Sequence, residues 1–298
     1  MTLKLGNPGD REKMARIINE RDGAEIKRIK DAFIDAHAAG STIEQLKRPA
    51  GELLALAPFT PIIMGQGLLY RALPFGETEP CKTVKRMGYP PRNLAKQGRA
   101  NRPKHQVLYV STSPPVAVLE AQIEVGQQFV LVEYALKESI GFSHAGIFNS
   151  TSREWISAMA KNISTSMAPL IDAYGLQNLQ EAHRWIGELF LTVDRTQYKL
   201  TTALAELLLM PLEGLIYPSL HEYRQYNIAI RTIAADHKLA PKQFWRGVLR
   251  GKVPNADGEG AIQTMLHDHA VQLKGHVIDW TGASPTVMPT PSNPEVGA

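Results

Sequence analysis

The sequence predicts an α+β protein with a helical N-terminal extension. Three observations carry that expectation. Apolar residues recur at helical spacing through the first 57 residues. Five short runs of strand-forming residues lie between residues 65 and 233. Helical stretches separate several of those runs, and no internal repeat is visible.

The elements follow in chain order. Met14, Ile17, Ile18, Ile26, Ile29, Phe33 and Ile34 mark helices between residues 9 and 40, with Gly23 as an interruption and Gly40 as a stop. Ser41 with Glu44 reads as a capping box for the next helix, which Pro49 is expected to kink or break. GQGLLYRALPF, 65 to 75, reads as a strand carrying Arg71. Residues 76 to 106 read as a long irregular connection rich in Gly, Pro and Asn. HQVLYVS, 105 to 111, is the next strand; Ser113 and Pro114 then open a helix expected to reach about Val125. FVLVEYAL, 129 to 136, is another strand. Residues 152 to 190 read as helical, with stripes at Trp155, Ile156, Met159 and Ile163 and at Trp185, Ile186, Leu189 and Phe190. A short apolar helix at 200 to 210 precedes strands GLIYPS, 214 to 219, and NIAIRTI, 227 to 233. The pattern weakens after about residue 250, and the Pro-rich stretch from about 281 to 298 reads as disordered. The expected organisation is a helical extension over 1–62, a catalytic domain over 63–250 and a C-terminal segment over 251–298.

Composition narrows the function classes. Of 298 residues, 44% are hydrophobic and 21% charged, ordinary for a globular protein. The net charge of +4 permits anionic ligands without arguing for nucleic acid. Cys81 is the one cysteine, so an internal disulfide and a thiolate zinc site are excluded. The opening MTLKLGNPGDREK lacks an apolar signal core, and no apolar run approaches a membrane span. A cytoplasmic protein that does not meet the membrane is expected. His267 and His269 do not form a helical His-Glu-x-x-His, and neither a P-loop nor a Rossmann glycine fingerprint is present, so no metal site is expected.

Three stretches could carry chemistry. Between Lys82 and Lys104 there are eight Lys or Arg residues and no acid. Such a loop is either simply solvated or an anion trap. Glu120 lies on the apolar helix PPVAVLEAQIEV, where a carboxylate is either paired structurally or used chemically. Ser219 ends a strand in YPSLHEYRQYN; it is either a plain turn serine or a ligand contact, and it is not a hydrolase elbow.

The order of these signals is more specific than any one of them. Tyr70-Arg71, then Gly98-Arg99-x-Asn101, then Leu-Tyr109-x-Ser followed by Ala117-x-x-Glu120, then Ile-Tyr217-Pro-Ser219 and Asn227 resembles the RES-domain family over about residues 64 to 235. Arg71, Glu120 and Ser219 match the Arg, Glu and Ser that name that family. Ala100 departs from it, since many relatives carry a bulkier aromatic there.

The resemblance implies a mixed β-sheet core like that of ADP-ribosyltransferases, with flanking helices. It implies a toxin that cleaves the nicotinamide–ribose bond of NAD by phosphorolysis or hydrolysis. NAD would be the substrate, inorganic phosphate a possible co-substrate, and no bound cofactor is expected. It also implies an inhibiting partner, an Xre-type antitoxin with a helix-turn-helix region. On this basis Glu120 would stabilise the cationic ribose, Arg71 and Arg99 would hold the pyrophosphate, and Tyr109 would stack on the nicotinamide. Ser219 would bind the ribose or the carboxamide, and Asn101, Tyr217 and Asn227 complete the expected binding set. The competing readings are an ADP-ribosyltransferase with a protein acceptor, a nucleic-acid-binding module using residues 82–104, and a binding protein that keeps the fold without activity.

Overall fold

Helices α1 (Pro8–Asn19), α2 (Gly23–Ala38) and α3 (Ile43–Leu56) form where the apolar spacing predicts them. The computed structural model describes residues 8–20, 22–57, 61–75, 83–146, 170–221, 225–254, 260–270, 273–274, 277–278 and 280. The expected stripe at Trp155 to Ile163 and the stretch 281–298 lie outside these residues.

Two local expectations need correction. The capping box is Thr42 with Gln45, not Ser41 with Glu44. Ser41 is still occupied in closing α2. Its N–H donates to the Ala36 carbonyl across Gly40, whose φ of 82° is open to glycine. The capping role therefore passes to the next residue. Pro49 does not break its helix; α3 runs through it. Leu46 and Leu53 are fully buried on the same helix. Burying two leucines contributes roughly 1.5–3 kcal/mol each, enough to offset the ~3 kcal/mol proline cost.

The described residues form two compact units whose segments alternate along the chain. The first comprises residues 1–62, 96–105 and 141–218. Besides α1 to α3 it holds β5 (Ile140–His144), α6 (Ala173–Phe190), α7 (Tyr198–Leu209) and β6 (Gly214–Pro218). β5 and β6 pair in parallel through Phe142–Gly214, Ser143–Leu215 and His144–Ile216. Phe33 of α2 is fully buried and meets Trp185 of α6 edge-on, their ring centroids 6.2 Å apart. Gly146 follows β5 with φ of 75°, and a Cβ there would sit 2.3 Å from the Gly187 Cα of α6. Only a glycine pair allows so close an approach.

The second unit comprises residues 63–95, 106–140 and 219–298. The short strand β1 (Ile62–Met64) lies at the boundary. The unit's strands are β2 (Leu68–Pro74), β3 (Val107–Ser111), β4 (Gln128–Leu136), β7 (Tyr226–Arg231), β8 (Leu239–Pro254) and β9 (Gly260–Ala270). They pair antiparallel in the order β7-β3-β2-β4-β8-β9. β10 (Leu273–Lys274) and β11 (Val277–Ile278) form a separate small pair. The helices are α4 (Val84–Met87), α5 (Pro114–Glu120) and α8 (Thr232–Lys238). The parallel pair in one unit and the antiparallel run in the other make the chain α+β with mixed strand pairing.

The β8–β9 hairpin was not legible in the sequence. β8 runs through residue 250, with irregular pairing at Arg246/Gly247 and Leu249/Gly251. Each irregularity shifts which residues face inward, so alternation over the whole strand is lost. α5 is shorter than expected. It ends at Glu120, and Gln122 then takes a φ of 54°. That early stop places Glu120 at the helix C-terminus and not in its middle.

Candidate functional site

Three residues expected from the sequence meet in the second unit. Glu120 Oε1 accepts hydrogen bonds from Ser219 Oγ at 2.8 Å, Asn227 Nδ2 at 2.6 Å and the Leu220 N–H at 3.3 Å. Three donors on one carboxylate oxygen fix the orientation of the group. Each donor comes from a different local device. Ser219 follows β6, its N–H bonded to the Gln225 carbonyl and its Oγ accepting from the His221 N–H. Asn227 is on β7, opposite Ser111 of β3. Ser111 Oγ donates to Asn227 Oδ1 at 2.9 Å, which orients the amide so that Nδ2 points at Glu120. Ser111, Ser219 and Asn227 are buried, whereas Glu120 is half-buried.

α5 carries Glu120 because its inner face is anchored. Ala117 and Val118 pack against Tyr70, Ala72, Phe129, Leu131 and Trp245 of the strands. Those contacts fix which way Tyr70 and Ala72 point. By strand alternation, Arg71 does not share the face that α5 covers.

Arg71 is not a member of the Glu120 group. β2 and β3 share one residue pair, Tyr70–Ser111, and then part. Arg71 Nη1 donates to the Tyr109 carbonyl of β3 at 2.8 Å, an acceptor that a continuing ladder could have used. Its Nε is buried without a hydrogen-bond partner, and among the described residues no carboxylate pairs with it. Burial lowers the Arg71 pKa, while Tyr134 and Tyr109 oppose that shift. Burial likewise pushes the Tyr134 phenol up to about 12, so it stays a neutral donor, here to the Met87 carbonyl at 3.0 Å. Tyr109 is half-buried on β3, two residues before Ser111 on the same strand.

Arg99, Asn101 and Tyr217 belong to the first unit. Arg99 Nη2 donates to the Thr192 carbonyl at 3.4 Å, and the guanidinium lies 5.5 Å from the Tyr198 ring centroid. The Asn101 amide is turned inward: Nδ2 lies 2.8, 2.9 and 3.0 Å from the Lys96, Arg102 and His105 carbonyls. Tyr217 is buried, its ring 5.3 Å from that of Phe190.

Sequence reasoning quoted Ser111 within the Tyr109-x-Ser motif but gave it no role. The signal was present: it lies at Tyr109 plus two, where strand alternation returns a side chain to the same face. It reads as a strand-end serine until the strand opposite is known. The basic stretch 82–104 is also less uniform than its sequence suggests. Arg102 is paired with Glu206 and Glu44, and Tyr89 donates to Asp236 at 2.8 Å.

Among the described residues, no helix is long and apolar enough to cross a membrane. No curated protein matches the chain in sequence. A solved structure, a chain of the M. tuberculosis MbcT–MbcA toxin–antitoxin complex, is similar over 65% of this chain and 89% of that one. It shares 10% identity with a TM-score of 0.34, too distant to carry a structural argument. The model of the RES domain matches residues 68–248, a span that contains Arg71, Arg99, Asn101, Tyr109, Glu120, Tyr217, Ser219 and Asn227. With most of its length inside that match, the chain belongs to the RES-domain family.

Proposed function

We propose that this protein is a toxin of a toxin–antitoxin pair that degrades NAD by cleaving the nicotinamide–ribose bond. The observation that carries the reading is the Glu120 carboxylate held on one oxygen by Ser219, Asn227 and the Leu220 N–H. In the cleavage, the bond from ribose C1 to the nicotinamide nitrogen breaks, and its electron pair goes to the ring, which leaves neutral. Positive charge develops on the ribose, and an oxygen of phosphate or water forms the new bond to C1. A fixed carboxylate is suited to stabilise such a cation, as in glycoside cleavage.

Two further observations support a dinucleotide as substrate. Arg71 brings a guanidinium with an unpartnered Nε to a place where the strands part. A pyrophosphate oxygen would supply the missing acceptor. Half-buried Tyr109 offers an aromatic face beside Arg71. Family membership supports the toxin role and an antitoxin partner, for which an Xre-type helix-turn-helix protein is the reading.

The test is direct. Purified protein is incubated with NAD, with and without inorganic phosphate, and the products are identified. Release of nicotinamide with ADP-ribose indicates hydrolysis, and release with ADP-ribose 1″-phosphate indicates phosphorolysis. Label accumulating on protein would redirect the reading to ADP-ribosyl transfer. NAD left intact under all conditions would remove the activity.

A further inference from the structure

We infer, building on the reading of Glu120 as the carboxylate that faces the ribose, that Thr112 and Gln225 are positioning residues. They hold the Ser219–Leu220 corner against Glu120. All of these residues belong to the second unit. The donors on Glu120 Oε1 have two sources. One is the Asn227 amide, which Ser111 aims. The other is the corner after β6, which supplies Ser219 Oγ and the Leu220 N–H. His221 N–H donates to Ser219 Oγ at 3.1 Å, which leaves the hydroxyl proton for Glu120. The corner needs a support of its own. Ser219 N–H donates to the Gln225 carbonyl at 3.0 Å, so the place of Gln225 sets where the corner begins. The pairing of β3 with β7 ends at Ser111–Asn227, and Gln225 lies just before β7 begins. Past that last pair, Thr112 Oγ1 donates to Gln225 Oε1 at 3.4 Å. Two consecutive hydroxyls at the end of β3 thus address two amides that are two residues apart on the facing segment.

Thr112 and Gln225 are both buried. Their bond satisfies two polar groups that burial would otherwise penalise. Stability alone does not call for polar groups there, because an apolar pair of the same shape can replace a buried hydrogen-bonded pair at little cost. An apolar pair cannot fix direction, and direction is what the donors on Glu120 depend on. Groups beside a reacting centre are sensitive to displacements of about 1 Å. At 3.4 Å the Thr112–Gln225 contact is longer than the 2.9 Å Ser111–Asn227 bond, so its loss should cost less than the loss of Asn227.

Thr112→Val, Gln225→Met, the double variant and Thr112→Ser test the inference by steady-state NAD cleavage, thermal unfolding and amide hydrogen exchange at Ser219 and Leu220. In Thr112→Val and in Gln225→Met, kcat is expected to fall roughly tenfold, with KM for NAD within about twofold. The Ser219 and Leu220 amides should exchange faster in both. Thr112→Ser keeps the hydroxyl and should keep the wild-type kcat. The double variant separates aiming from packing: its unfolding temperature should return towards that of the parent while kcat stays low. In a Glu120→Gln background, Thr112→Val should lower turnover no further, because both act through one carboxylate. If Thr112→Val fails to fold, the double variant carries the same readouts. Three results overturn the positioning role and leave the proposed activity standing: folded variants with unchanged kcat and exchange, a double variant that regains kcat with its stability, or a further fall in the Glu120→Gln background. A wild-type protein inert toward NAD overturns the activity, and exchange at the two amides then decides alone whether Thr112 and Gln225 hold the corner.

Discussion

Asn227 stands between Ser111 and Glu120, accepting from the first at 2.9 Å and donating to the second at 2.6 Å. A strand pair thereby dictates the direction of a helical carboxylate. A flipped amide would set its oxygen against the acceptor-only Glu120 carboxylate and lose that bond, while the Ser111 hydroxyl could serve either orientation. Asn227→Asp replaces the donor with a second acid beside Glu120. Its NAD cleavage is expected to fall by roughly a hundredfold or more, with a folded protein by circular dichroism. Wild-type turnover in that variant would separate Asn227 from the reaction.

Glu120→Gln keeps the shape of the side chain and removes its charge. Losing one preorganised electrostatic contact costs roughly 3 kcal/mol, so nicotinamide release should slow by about a hundredfold or more. The unfolding temperature should change little, since Glu120 is half-buried at a helix end. A folded Gln variant that turns over NAD at the native rate would exclude the carboxylate from the chemistry.

Arg71→Ala should act chiefly on affinity. Removing a guanidinium that meets phosphate weakens the ground state and the transition state alike, which raises KM with a smaller change in kcat. Isothermal titration with a non-cleavable NAD analogue reads this directly. An affinity equal to that of the wild type would assign Arg71 to holding β2 against β3 and nothing more.

Acid should destabilise the first unit through His144. It is buried on β5, stacked against buried His183 at 5.6 Å between ring centroids. Burial, with a smaller contribution from His183, holds its pKa well below the ordinary histidine value. The folded state therefore takes up a proton less readily than the unfolded chain. Stability is full above about pH 6.5 and falls as pH drops below it, by at most about 1.4 kcal/mol per pH unit for one site. Thermal unfolding between pH 7.5 and 5 should show this slope, and His144→Gln should flatten it. An unchanged slope in that variant would place the proton uptake elsewhere.

Gly146→Ala should be strongly destabilising. The new methyl would meet the Gly187 backbone of α6 at 2.3 Å, from a backbone with φ of 75°. Both the contact and the dihedral oppose it, and a loss of about 2 kcal/mol or more is expected in denaturant unfolding. A variant as stable as the parent would mean that α6 can move away from the turn at little cost.

Much of the second unit was legible because β2, β3, β4 and β7 are short and rich in branched and aromatic residues. Glu120, Ser219 and Asn227 were legible as residue types in a particular order, and the structure brings these three together. What could not be read was conditional on partners far along the chain. Ser111 acquires its role from Asn227, which lies opposite it. Asn101 was legible as a polar residue in the loop, but that its Nδ2 faces three loop carbonyls was not. α8 was hidden because Thr232 and Ile233, both strand formers, follow β7 without a break. Tertiary context decides such stretches against local propensity.

The alternation of the two units along the chain has a consequence during synthesis. Glu120 leaves the ribosome 99 residues ahead of Ser219 and 107 ahead of Asn227. At ~5–20 residues per second, the acid waits roughly 5–20 seconds for the groups that aim it. A nascent chain stopped anywhere in that interval has the carboxylate without the side chains that align it.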